Sequence, residues 1–125
     1  MSNPNEGPVG TLDQVGIDVE DLDRSAQFWA ALLGLKVADR DEDYLLFERQ
    51  GAGPRLYVQK VPEKKIAKTR IHFDIAVENL DNAVARAVAL GAKKVKAFGA
   101  RATGMSQIGW VVMEDPEGNE FCLIS

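Results

Sequence analysis

With 125 residues, 46% of them hydrophobic and 27% charged, the chain is long enough to bury a core of its own and has the composition of an ordinary globular domain. No run approaches the roughly 18 apolar residues of a membrane span. The net charge of −4, with Lys and Arg scattered among Asp and Glu, offers no basic stripe for a phosphate backbone, so neither membrane nor nucleic acid is an expected partner.

The start of the chain, Met1-Ser2-Asn3-Pro4-Asn5-Glu6-Gly7-Pro8, lacks the basic and apolar regions of a secretory signal, and the single cysteine, Cys122, leaves no internal disulfide possible. These features lead to the expectation of a cytoplasmic protein with a flexible polar tail over residues 1–10 and one domain over 11–125. From residue 12 to 19 the apolar Val15, Ile17 and Val19 alternate with Gln14, Gly16 and Asp18, the period of a strand with one greasy and one polar face. Asp23 stands where a helix N-cap is expected. Ala26, Trp29, Ala30 and Leu33 then form a stripe at helical spacing that ends at Gly34. Short strands are predicted over 35–38, 44–49 and 55–61, separated by polar, glycine-containing turns. This first module, residues 11–62, reads βαβββ, and the polar segment 63–69 serves as a connector.

The second module, residues 70–125, repeats the plan. Residues 71–77 alternate again, with Phe73, Ile75 and Val77 on one face and His72, Asp74 and Ala76 on the other. Asp81 caps a helix whose inward stripe is Val84, Ala87 and Val88 and whose stop is Gly91. A strand over 93–97 follows, then an irregular stretch over 98–107, placed either as a flap over a cavity or as a plain loop. Residues 109–114 and 120–124 pair as a hairpin across Asp115-Pro116-Glu117-Gly118-Asn119, read as a turn only. Sliding residues 72–81 back by 58 positions onto 14–23 leaves five of ten identical without a gap: Ile75 on Ile17, Val77 on Val19, Glu78 on Glu20, Leu80 on Leu22 and Asp81 on Asp23. Such self-similarity marks an internal duplication. The predicted fold class is α+β, two tandem βαβββ modules whose sheets form an open trough with the helices on the outer faces.

The duplicated module, the phrase Asp21-Leu22-Asp23-Arg24-Ser25-Ala26-Gln27-Phe28-Trp29 followed by Leu32-Leu33-Gly34-Leu35, and the ending Asp115-Pro116-Glu117-Gly118-Asn119 together resemble the vicinal oxygen chelate superfamily. That superfamily includes glyoxalase I, extradiol dioxygenases and bleomycin-resistance binding proteins. Gln59-Lys60-Val61-Pro62-Glu63, His72-Phe73-Asp74 and Gly118-Asn119-Glu120-Phe121-Cys122 look most like its glyoxalase-like domain group. The resemblance implies a small-molecule site in the trough and, in metal-dependent members, four ligands: His or Gln on the first strand, Glu on the fourth, His on the fifth and Glu on the eighth. Carried over, these fall on Gln14, on or near Gln59, on His72 and on Cys122, while Glu120 lies two places before the expected ligand, beside the turn.

That set contains no carboxylate. Hard divalent ions prefer anionic oxygens and imidazole, and zinc wants at least three good N, S or O ligands, so the expectation is no metal cofactor. If an ion is held, it is a divalent metal such as Zn²⁺ on Gln14, Gln59, His72 and Cys122. The expected ligand-binding residues are Gln14, Asp18, Tyr57, Gln59, His72, Trp110 and Cys122. His72 has the pKa class for proton transfer or anion binding, and Asp74 orients it, acts as a base, or pairs with Arg55 or Arg70. Three readings stay open: a homodimeric binder of a small organic ligand; a lyase, isomerase or dioxygenase-like enzyme using His72 with Asp74 or a weakly held metal; and a dimerising domain whose site is vestigial.

Overall fold

The computed structural model describes residues 7–8, 12–67, 71–102 and 107–125. Most of the tail expected over 1–10, and residues 103–106 of the expected flap, therefore lie outside the described residues. The elements in chain order are β1 (Gln14–Val19), α1 (Leu22–Leu33), β2 (Val37–Arg40), β3 (Tyr44–Phe47), β4 (Arg55–Lys60), β5 (Asp74–Ala76), α2 (Leu80–Ala89), β6 (Lys93–Ala102), β7 (Gln107–Glu114) and β8 (Glu120–Ile124). They form two open four-stranded sheets, ordered β1-β4-β3-β2 and β5-β8-β7-β6. In each, the first strand runs parallel to the last and the other pairs are antiparallel. Helix α1 packs on β3 and β4, and α2 on β6, β7 and β8, so the two βαβββ units of the repeat share one topology.

Several boundaries differ from the sequence expectation. The N-caps are Asp21 and Asn79, each accepting a hydrogen bond from the backbone N–H three residues on, rather than Asp23 and Asp81. The shift is two residues in both modules because Leu22 and Leu80 belong to the first helical turn and pack on the core. Asp23, displaced to the helix surface, pairs instead with Arg40 at 2.9 Å. Strand β2 begins at Val37 because the Leu35 N–H is bonded to the Ala30 carbonyl, completing the helix end around Gly34 at φ 66°. In α2 the inward stripe is Leu80, Ala83, Val84 and Ala87, and Val88 is 48% exposed. Strand β5 is shorter than predicted, leaving His72 just before it. Strand β6 is longer, reaching Ala102 through a register shift between Phe98 and Arg101, so much of the expected irregular stretch is ladder.

The core lies on the helix side of the sheets, and α1 is shared between the modules. Trp29, 1% exposed, meets Phe121 of β8 edge to face with ring centroids 5.2 Å apart, and Phe73 at 6.1 Å. Its indole Nε1 donates to the buried Asp115 carboxylate at 3.1 Å. The turn at 115–119 is thus more than a turn. Asp115 Oδ1 also accepts from the N–H groups of Glu117 and Asn119, and the Glu117 carboxylate accepts from the N–H groups of Glu20 and Asp21 at 2.9 and 3.0 Å while pairing with Arg24. Asn119 reaches the Asp18 carbonyl at 3.4 Å. A second-module turn therefore caps the first-module helix.

Burial pushes the Asp115 carboxyl above its usual range, and its hydrogen bonds to Asn119, Trp29 and Glu117 counter this only in part. For Glu117, burial would also push upward, but the Glu20 and Asp21 amides together with Arg24 outweigh it and hold the carboxyl below its ordinary 4.5. Charge on Glu117 thus favours the folded state above pH 4.5, and this contribution fades as pH falls through the lower folded value. Asp115 acts with the opposite sign, its protonation relieving burial as pH falls. Urea titrations at a series of pH values are expected to show a shallower acid loss of stability for Glu117→Gln than for the native chain. At neutral pH, Asp115→Ala, which strands the Trp29 indole and two turn amides without an acceptor, is expected to cost about 3 kcal/mol by the same measurement.

Candidate functional site

Strand alternation decides what faces away from the helices. In β1 the side facing the core carries Val15, Ile17 and Val19, and the open side carries Gln14, Gly16 and Asp18. Paired residues of a parallel ladder project to the same side, so Arg55, Tyr57 and Gln59, in register with Gln14, Gly16 and Asp18, share that open face. Gly16 gives direct proof: a Cβ placed there would lie 2.2 Å from the Tyr57 ring, so only glycine lets the ring lie across β1. Tyr44 of β3 adds a second ring with its centroid 5.6 Å from that of Tyr57.

The open face of the second sheet follows the same rule. Asp74 stands beside Cys122 and Ala76 beside Ile124; across from β8, Val112 faces Cys122 and Trp110 faces Ile124. Phe98 lies opposite Trp110, the two rings stacked at 4.7 Å and 14°, with the Lys96 ammonium 4.9 Å above Phe98. Lys65 of the connector pairs with Glu120 at 3.5 Å. Connector residues Lys65, Ile66 and Ala67 thereby line a hollow with Lys96, Phe98 and Val112.

Between the sheets, β1 and the approach to β5 flank a cleft of about 810 Å³. Leu12, Gln14, Val15, Gly16, Ile17 and Asp18 line it from one module, core-face as well as open-face residues of β1, and Ile71, His72, Phe73, Asn119 and Glu120 from the other, with Trp29 also on its wall. Of the residues expected to bind ligand, Gln14, Asp18 and His72 therefore meet at one cleft. Tyr57 and Gln59 occupy the adjoining face of the first sheet, and Trp110 and Cys122 that of the second. Cys122 is 7% exposed, while His72 and Asp74 are exposed. Among the described residues no hydrogen bond joins His72 to Asp74, and Asp74 makes no ion pair with Arg55; the other expected partner, Arg70, lies outside the described residues.

Three positions need revision. Gly16 and Asp74 are repeat mates, and Tyr57 stands in register to Gly16 as Cys122 does to Asp74. The fourth-strand equivalent of Cys122 is thus Tyr57 rather than Gln59, a distinction that needs the β1/β4 register and cannot be read along β4 alone. Glu120, set aside in the sequence as lying beside the turn, lines the cleft. Arg55, weighed there only as an ion-pair partner, stands on the open face, as its alternation with Tyr57 and Gln59 implies. Among the described residues no group of three or more His, Cys, Asp and Glu side chains is placed to hold a metal ion.

This architecture coincides with a known family. The glyoxalase-like domain family matches residues 14–124, and the chain belongs to it. No curated protein sequence matches the chain. Solved structures with the same fold include a glyoxalase/bleomycin resistance protein/dioxygenase family enzyme from Burkholderia phytofirmans, at 18% identity and TM-score 0.74, covering 92% of this chain and 98% of that one. A glyoxalase/bleomycin resistance protein from Albidiferax ferrireducens is 21% identical, with TM-score 0.66 and coverage of 90% and 96%. The fosfomycin resistance protein FosX from Listeria monocytogenes, solved with Mn(II) and 1S,2S-dihydroxypropylphosphonic acid, is 17% identical, with TM-score 0.72 and coverage of 94% and 90%. At these identities the likeness is one of fold. No helix of the described residues is long and apolar enough to cross a membrane.

The Gly16–Tyr57 contact is open to direct test. Gly16→Ala is expected to swing the Tyr57 ring off β1, changing the tyrosine signals in an aromatic NMR spectrum and lowering stability by about 1–3 kcal/mol, as overpacking does. An unchanged tyrosine environment would contradict the placement.

Proposed function

We propose that this protein binds a small organic molecule in the trough between its two sheets, without a tightly held metal ion. The observation that carries this reading is the convergence of Gln14, Asp18 and His72 on one open cleft of about 810 Å³, a volume within the range of small-molecule sites. A trough kept only as a relic would be filled by its own side chains. Aromatic rings on both open faces, Tyr44 with Tyr57 and Phe98 with Trp110, supply flat apolar surface, and the exposed amides of Gln14 and Gln59 supply adaptable hydrogen bonding.

The donor chemistry argues against a metal-dependent reaction. At the positions where the superfamily resemblance places ligands stand Gln14, Tyr57 or Gln59, His72 and Cys122. Amide and phenol oxygens are poor donors for hard cations, and His72 and Cys122 by themselves fall short of a zinc site. This set does not fit the implied ion. An acid–base enzyme using His72 with Asp74 has less support, because Asp74 does not hold the imidazole. In this reading the chain works in the cytoplasm as a homodimer, whose contact would cover part of the apolar surface exposed at Val37, Val88 and Val95.

Calorimetric titration with Zn²⁺ and Mn²⁺ is expected to give no saturable binding at stoichiometric concentrations. A fragment library screened by amide NMR is expected to perturb residues 14–18, 55–59 and 71–74 together. Stoichiometric metal in protein purified without chelator, lost on His72→Ala, would overturn the metal-free reading. Fragment hits that avoid the trough would overturn the site.

A further inference from the structure

Arg55 sets itself apart from the other arginines whose side chains are described. Arg24, Arg40 and Arg49 are exposed and each pairs with a carboxylate, on Glu117, Asp23 and Asp13 respectively. Arg86 is exposed on the surface of α2. Arg55 alone among them is half-buried and without an ion pair, and its Nε is buried with no hydrogen-bond acceptor. A buried guanidinium N–H left unsatisfied is costly and calls for an acceptor.

Among the described residues no carboxylate forms an ion pair with it; Glu48, which the β3/β4 register places opposite Arg55 just past the ladder, makes none either. Asp13, whose carbonyl accepts from the Arg55 backbone N–H, has its carboxylate engaged by Arg49 at 2.8 Å. On the open face of β1 the carboxylate is Asp18, in register with Gln59 and four residues from Gln14, about 13 Å away along a strand. Directly beside Arg55, which stands on the open face at the border of the cleft, is Gln14, a neutral amide that lines it. His72 borders the same cleft and would be a second cation when protonated.

We infer that the ligand of the trough carries an oxyanion, a carboxylate or a phosphonate, and that Arg55 binds that group with Gln14 beside it. The guanidinium presents parallel N–H donors that match either oxyanion in a bidentate pair, and a partly desolvated setting strengthens such a bond. Occupation supplies the acceptor that Nε lacks. The aromatic rings on the open faces complement the organic remainder of such a molecule. This inference rests on the trough reading above and narrows it to a class of ligand.

The test uses the full chain, ¹⁵N-labelled, titrated separately with benzoate, phenylphosphonate and neutral benzyl alcohol. One or both anions are expected to shift the amides of residues 14–18 and 55–59, with an affinity at least about tenfold above that of benzyl alcohol. Which of the two binds more tightly separates a carboxylate from a phosphonate ligand. Arg55→Gln is expected to weaken the anion about tenfold or more, and Arg55→Lys to recover part of the loss while leaving the benzyl alcohol response unchanged. Equal affinities for all three probes, or an Arg55→Gln chain with a native amide spectrum that binds the anions as the parent does, would overturn the oxyanion inference and leave the trough site standing. Failure of both anions to bind also overturns it. Benzyl alcohol shifts then decide whether the trough reading survives, and their absence from residues 14–18, 55–59 and 71–74 would count against the site itself.

Discussion

The structure depends on the hydrogen bonds between the turn at 115–119 and the first-module helix. Two similar half-sheets with greasy backs could associate in many ways, since burial of apolar surface has no direction of its own. Direction comes from Asp115, whose buried carboxylate must find donors and finds them in the Trp29 indole and its own turn amides. Glu117 then closes the N-terminus of α1 against its unsatisfied amides, where a negative charge is favoured by the helix dipole. With Trp29 wedged against Phe121 and Phe73, the relation between β1 and β5 is set, and with it the width of the cleft.

The duplication shows which half of each strand that packing constrains. Ile17 and Val19 on the core face of β1 are identical to their mates Ile75 and Val77, and Leu22 and Leu80 begin both helices. On the open face the copies have parted: Gln14 against His72, Gly16 against Asp74, and Tyr57 against Cys122 across the ladder. Packing on a helix demands a given shape, and the identical residues meet it twice. The open face carries no such demand, so its residues are free to differ, and a ligand seated there meets two unlike walls. A glycine on one side and a tyrosine folded over it make the first-module wall aromatic; the second-module wall is a stacked Phe98–Trp110 pair under a lysine.

Glyoxalase-like membership and the metal question rest on different parts of the molecule. Membership follows from the family match over residues 14–124, whose repeated topology the hydrophobic pattern already carries. The metal question turns on the few side chains at the positions where the resemblance implies ligands, and these can differ without disturbing the frame. The same fold is seen with Mn(II) in the solved FosX structure at 17% identity, so the frame alone does not dictate what the trough holds.

The residue order alone determined the βαβββ repeat, the two-faced character of β1 and β5, the glycine stop of the first helix and the open-face position of Gln14 and Asp18, because strand and helix periods are local properties of the backbone. It also held the alternation that places Arg55 beside Tyr57 and Gln59, though not the reason this arginine stands apart. That reason is that Arg55, unlike Arg24, Arg40 and Arg49, forms no ion pair among the described residues, which only packing reveals. Tertiary structure likewise decided that Tyr57 rather than Gln59 matches Cys122, that Glu120 borders the cleft and that a surface-looking turn caps a distant helix. Register, ion pairing and burial join residues some 40 to 100 positions apart, and no local period encodes which of them will meet.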